Sequence, residues 1–215
     1  MTGRRSAGRG ATAGMLAWLA LTLLGFALLV TGYLTAVLGG QVDPVTDPVS
    51  DYAFHSAGGP LFVSAVLLLG LAGLVLRAGM HGARMPRSLA TSALFGLWYA
   101  GLLLCAVFPG DQLATDQTLS GQLHRLGGAM LFTCLPVAGW LLARALHPDP
   151  RWTGFAVWIR RFAAAVLACA AMFGAAQLVP WLPKGLIERV ALGAELALLV
   201  VLALAVRKAA RCPLA

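Results

Sequence analysis

Six long apolar stretches, at roughly 14–38, 57–78, 88–108, 121–144, 158–179 and 187–207, are separated by short polar segments. A helix needs about 20 apolar residues to cross the hydrocarbon core of a bilayer, and each stretch has about that length. Lipid offers no partner to backbone N–H and C=O groups, so such runs are expected as helices. The alternating polarity of barrel strands is not seen. The pattern predicts an all-α fold, a polytopic membrane helical bundle with six transmembrane helices. It divides the chain into a basic N-terminus (1–13), a six-helix transmembrane domain (14–207) and a short tail (208–215). Pro60, after Gly58 and Gly59, is expected to bend the entrance to the second span, and Pro136 to kink the fourth. The alanines at 163, 164, 165, 168, 170 and 171 of the fifth span suit close helix packing.

The polar segments alternate in charge, and this sets orientation. Arg4, Arg5 and Arg9 precede the first span; Arg77, Arg84 and Arg87 join the second to the third. Arg144, Arg151, Arg160 and Arg161 join the fourth to the fifth, and Arg207, Lys208 and Arg211 end the chain. The other segments carry Asp43, Asp47 and Asp51, then Asp111 and Asp116, then Lys184, Glu188 and Arg189. Lys and Arg are retained on the cytoplasmic side. Both termini are therefore expected in the cytoplasm, with three hairpins pointing outward from the cell (inner) membrane.

Composition agrees: 215 residues, 60% hydrophobic and 11% charged, lie outside the range of a soluble domain. The net charge of +8 would suggest nucleic acid in a soluble protein. Here the basic residues flank apolar spans, so membrane lipids, with anionic headgroups at the cytoplasmic face, are the expected partners, and nucleic acid is not. Met1 to Arg9 followed by an apolar run resembles a signal peptide. The run to Leu38 exceeds an h-region of about 7–15 residues, so it reads as a retained span. Cys105, Cys134, Cys169 and Cys212 show no CxxC spacing and read as free thiols. No cofactor is implied.

The acidic segments hold the residues that need a chemical account. Asp43 and Asp47, each followed by proline, read as helix caps. A helix starting at Pro48 would place Asp51 and His55 one turn apart on one face. The second segment offers Ser120 as an N-cap for a helix that carries His124 and Arg125. The third runs from Gln177 through Pro180, Trp181 and Pro183 to Glu188 and Arg189. Glu195 lies on nearly the same face as Glu188 and ~10 Å deeper. An ionised carboxylate there costs of order 2.5–3.5 kcal/mol on insertion scales, so a partner is expected, Arg125 or Arg189. Tyr33 and Tyr99 are further donors for the same region.

The expected ligand-binding set is therefore Ser50, Asp51, Tyr52, His55, His124, Arg125, Glu188, Arg189 and Glu195, around a polar cavity open to the outer face. Asp51, His124 and Glu195 are the acid–base candidates within it. No HExxH, G-x-S-x-G or histidine run is present, so no metal site is assigned, although Asp51, His55 and His124 could still make a small one.

Several of these residues resemble a known family. Asp47-Pro48-Val49-Ser50-Asp51-Tyr52 after the first span, Phe108-Pro109 closing the third, His124 opening the fourth and Gly185-Leu186-Ile187-Glu188-Arg189 opening the sixth are similar to the bacterial and archaeal six-helix membrane family catalogued as domain of unknown function 998. The resemblance spans about residues 15–207. It implies an integral membrane protein of unestablished activity, with Ser50, Asp51, His124, Glu188 and Arg189 at the family's polar positions.

Three functions fit this pattern. The first is binding of a lipid or amphiphilic small molecule in the outer cavity, with Arg125 and Arg189 attracting phosphate or carboxylate. The second is a membrane-embedded enzyme acting on a lipid or isoprenoid-like substrate by acid–base chemistry. The third is a small transporter, for which a homodimer would supply the missing size.

Overall fold

Each apolar stretch forms one α-helix: α1 (Thr2–Leu38), α2 (Gly58–Gly82), α3 (Leu89–Val107), α4 (Leu119–Leu146), α5 (Thr153–Ala176) and α6 (Lys184–Arg211). The computed structural model describes residues 2–55, 57–112, 117–150, 152–179 and 181–211. Asp116, Arg151, Pro180 and Cys212, and the side chains of Arg4, Arg5 and Arg9, lie outside what is described. All six helices are long and apolar enough to cross a membrane, and no strand occurs among the described residues. The chain is a multi-pass membrane protein. The basic N-terminus is helical from Thr2 and runs straight into the first span.

Three local expectations are corrected. No α-helix starts at Pro48: a six-residue 3-10 helix, Val49–Phe54, follows it, and α2 begins only at Gly58. Asp51 and His55 are therefore not stacked on one α-helical turn. Asp43 and Asp47 cap no long helix; they close the loop on itself, the Asp43 carboxylate accepting from the Val45 amide (2.8 Å) and the Asp47 carboxylate from the Asp43 amide (2.8 Å). The N-cap of α4 is Thr118, whose Oγ1 accepts from the Gly121 amide at 3.0 Å. Ser120 lies inside the helix and donates to the Pro109 carbonyl at 2.8 Å. Pro60 is the third residue of α2, where its missing N–H has no helical partner to lose. Pro136 lies within α4, which continues on both sides of it.

Consecutive helices pack on one another, and α6 returns against α1, closing the bundle. With an even number of spans, both chain ends meet at one end, where a Cβ on Gly10 would lie 3.1 Å from the Ala210 carbonyl oxygen. Ala13, Ala17, Ala20 and Leu24, at helical spacing on α1, join Leu198, Leu199, Leu202 and Val206 of α6 in the main core. A second cluster at the opposite end gathers Leu34, Leu38, Val42, Val49, Tyr52 and Phe62 beneath the first loop. Large apolar side chains such as Phe26, Leu29, Leu67, Leu74 and Leu103 face outward, the arrangement expected when lipid is the solvent.

The two ends differ in charge. At the termini-bearing end, Arg207 lies 3.6 Å from the Trp18 ring centroid, and Arg77 lies 4.8 Å from that of Phe95 while donating to Ser92 Oγ at 3.0 Å. Such cation–aromatic pairs suit the headgroup layer. The opposite end carries Asp43, Asp47, Asp51, Asp111 and Glu188.

Helices α3 and α4 approach most closely at a glycine pair. A Cβ on Gly101 would lie 2.7 Å from the Gly127 carbonyl oxygen, and one on Gly127 would lie 2.8 Å from that of Gly101. Gly96, on α3, has open space around it. Gly101→Ala is therefore expected to destabilise by about 1–3 kcal/mol through overpacking, and Gly96→Ala to have no such cost. Thermal unfolding of the two variants in detergent checks this; equal melting temperatures would contradict the close contact.

Candidate functional site

The site builds outward from the start of α6. A helix start leaves four amides without intrahelical partners, and here the first loop supplies some of what they need. The Leu186 amide donates to the Val45 carbonyl at 3.0 Å. One turn on, the Glu188 carboxylate accepts from the Val49 amide at 2.7 Å, tying the 3-10 helix to α6. The Arg189 guanidinium donates to the carbonyls of Asp47 (2.8 Å) and Gly185 (3.1 Å) and to the Tyr52 hydroxyl (3.0 Å). Tyr52 is fully buried and donates its own proton to Thr35 Oγ1 of α1 at 3.2 Å. Gly185 is required here, because a Cβ would collide with the backbone of Asp47. The end of α1, the loop that follows it and the distant start of α6 are clasped by these bonds. No carboxylate forms an ion pair with Arg189 among the described residues.

Asp51, Ser50 and His55 sit half-buried beside this clasp. Burial first, and the Asp47 carboxylate second, push the Asp51 carboxyl up from 3.8 to about 6; His55 and Arg189 pull against them.

A second clasp closes α3 onto α4. His124 Nδ1 donates to the Phe108 carbonyl at 2.8 Å, beside the Ser120–Pro109 bond. Arg125 pairs with Asp111 at 2.7 Å. The Thr118 hydroxyl, then Arg125, hold the Asp111 carboxyl below its ordinary range. Gly121 leaves room for that carboxylate, which a Cβ would strike.

Glu195 stands apart. It is 1% exposed, and its Oε1 accepts the indole N–H of Trp98 at 3.2 Å, linking α6 to α3. The expected partners Arg125 and Arg189 are engaged elsewhere. Its Oε2 has no partner among the described residues, nor has the buried hydroxyl of Tyr99, whose ring lies 5.1 Å from that of Trp98. Tyr33, the other expected donor, is 57% exposed and faces away from the interior. The nine expected residues thus fall into three hydrogen-bonded neighbourhoods, with Ser50, Asp51 and His55 beside the first. No three His, Cys, Asp or Glu side chains among the described residues come together as metal ligands, so Asp51, His55 and His124 do not form the small site considered above.

The model of the family described as "Protein of unknown function (DUF998)" matches residues 23–205. The chain belongs to the DUF998 family. No curated protein and no solved structure matches it. In this DUF998 chain, many of the residues that carried the resemblance belong to the clasps, Val49, Tyr52, Gly185, Glu188 and Arg189 to the first and Phe108, Pro109 and His124 to the second, while Ser50 and Asp51 lie beside the first. Sequence reasoning missed Trp98 as the partner of Glu195 and Thr35 as that of Tyr52, because contacts between distant helices leave no local spacing to read.

Two outcomes follow from this geometry. The folded state binds the Asp51 proton more tightly than the unfolded chain, so Asp51 ionisation lowers stability as pH rises from 3.8 to about 6. Asp51→Asn should match the parent below that window and melt at a higher temperature above it; superimposable pH–melting curves would refute the assignment. At Glu195, Gln retains an oxygen for the Trp98 indole, whereas Ala strands it. Glu195→Ala should cost about 1–3 kcal/mol more than Glu195→Gln, as read from unfolding in detergent.

Proposed function

We propose that the protein binds the polar head of a lipid or other amphiphile at its outer face, beside the clasp between the first hairpin and α6. The observation that carries this reading is Arg189, a guanidinium held at the membrane edge by three neutral oxygens and paired with no carboxylate among the described residues. Neutral oxygens leave the guanidinium charge available to an external phosphate or carboxylate, alongside the nearby Asp51 and Glu188 carboxyls. Asp51 and His55 stand on the same side, and Asp51 changes charge near pH 6. An acid and a base side by side suit a zwitterionic head. Leu186 and Val190, 47% and 53% exposed, flank Arg189 on α6 and offer an apolar track for the tail. The enzyme reading has less support, since Asp51, His124 and Glu195 share no hydrogen-bonded constellation. Transport draws on one specific observation, the unpartnered Oε2 of Glu195 within a span; counterflow in proteoliposomes that Glu195→Gln abolishes would favour it.

The orientation that makes this face external follows from the arginines at the termini-bearing end. In a cysteine-free background, a cysteine at Asp47 should react with an impermeant maleimide from outside intact cells, and one at Arg84 should not. Labelling of both from one side would reverse or remove the proposed face. Native mass spectrometry of gently extracted protein should then show a retained amphiphile that Arg189→Gln and Asp51→Asn lose while both variants keep a cooperative melt. A bare parent protein, or retention unchanged in both folded variants, would overturn the reading.

A further inference from the structure

At the termini-bearing end, α4 and α5 enclose a cleft of about 190 Å³ lined by Ala143, Arg144, His147, Ala156 and Arg160. Its back wall is two buried alanines, and the small size of Ala143 and Ala156 leaves the space open. Its rim is basic. Arg144, in the last turn of α4, and His147, its C-cap, lie three residues apart, and Arg160 comes from α5. Asp149, the only acid in this hairpin, lies in the connecting turn and is not part of the lining. Two arginines thus line one cleft, and an anion bound between their guanidinium groups would accept several N–H bonds.

The depth suits a phosphate. Arg144 is two residues from the end of α4, and Arg160 seven residues into α5, within ~10 Å of the helix ends by helical rise. Trp158, 52% exposed and 5.2 Å from the Arg161 guanidinium, marks the same level on α5 as interfacial. We propose that this cleft binds a phosphate group, with an anionic phospholipid head as its source. The site lies at the opposite end of the bundle from the clasps, so it stands or falls independently of the function proposed above.

The test compares thermal stability of the full chain in detergent with added phosphatidylglycerol, with phosphatidylcholine of the same acyl chains, and with inorganic phosphate against chloride at equal ionic strength. Phosphatidylglycerol should raise the melting temperature at concentrations where phosphatidylcholine does not. The double variant Arg144→Gln/Arg160→Gln should need roughly tenfold or more lipid for the same shift, each single variant an intermediate amount, and Arg87→Gln at the same end no more than the parent. A shift with inorganic phosphate that the double variant loses would keep the phosphate site and transfer its source to a soluble anion. Equal shifts from both lipids, or an undiminished response in the folded single and double variants, would overturn the proposal.

Discussion

Away from water, a backbone amide without a partner costs several kilocalories per mole, and this constraint shapes the acidic end of the bundle. The turns there satisfy only part of their own main chain. Val49 finds the Glu188 carboxylate, Asp47 offers its carbonyl to Arg189, and Val45 accepts from the Leu186 amide. The acid and base at the start of α6 therefore act first on the protein's own main chain. Tyr52 extends the network into the core, where its ring is packed by Leu34, Leu38 and Phe62 while its hydroxyl joins Arg189 to Thr35. Packing and polar satisfaction thus depend on the same side chain.

The family's polar positions take a different meaning in this light. A charged residue within a span invites a catalytic explanation, yet Glu188 and His124 direct their hydrogen bonds to main-chain groups of neighbouring segments. Under the proposed reading, the groups that would meet a ligand are fewer: Arg189 and the half-buried Asp51 and His55 beside it. Glu195 belongs to a separate problem, the joining of α6 to α3 through an indole.

The spans were readable because burial in lipid demands an uninterrupted apolar run, and the expected 88–108 became Leu89–Val107. Boundaries slipped where charge and helix part company. Arg160 and Arg161 interrupt the apolar signal, yet α5 begins back at Thr153, since arginine does not stop a helix. The site residues were recognisable as unusual, but their partners were not. Nothing at position 98 announces an acid at position 195, and the separation of Asp51 from α2 depends on a 3-10 turn that proline placement alone did not specify.

The clasp ties a loop near the start of the chain to a helix at its end, with Val49 and Glu188 separated by 139 positions. During synthesis the first hairpin leaves the ribosome long before its acceptor exists. The Val49 amide has no Glu188 to meet until α6 is made, so this clasp can close only after the sixth helix has been synthesised.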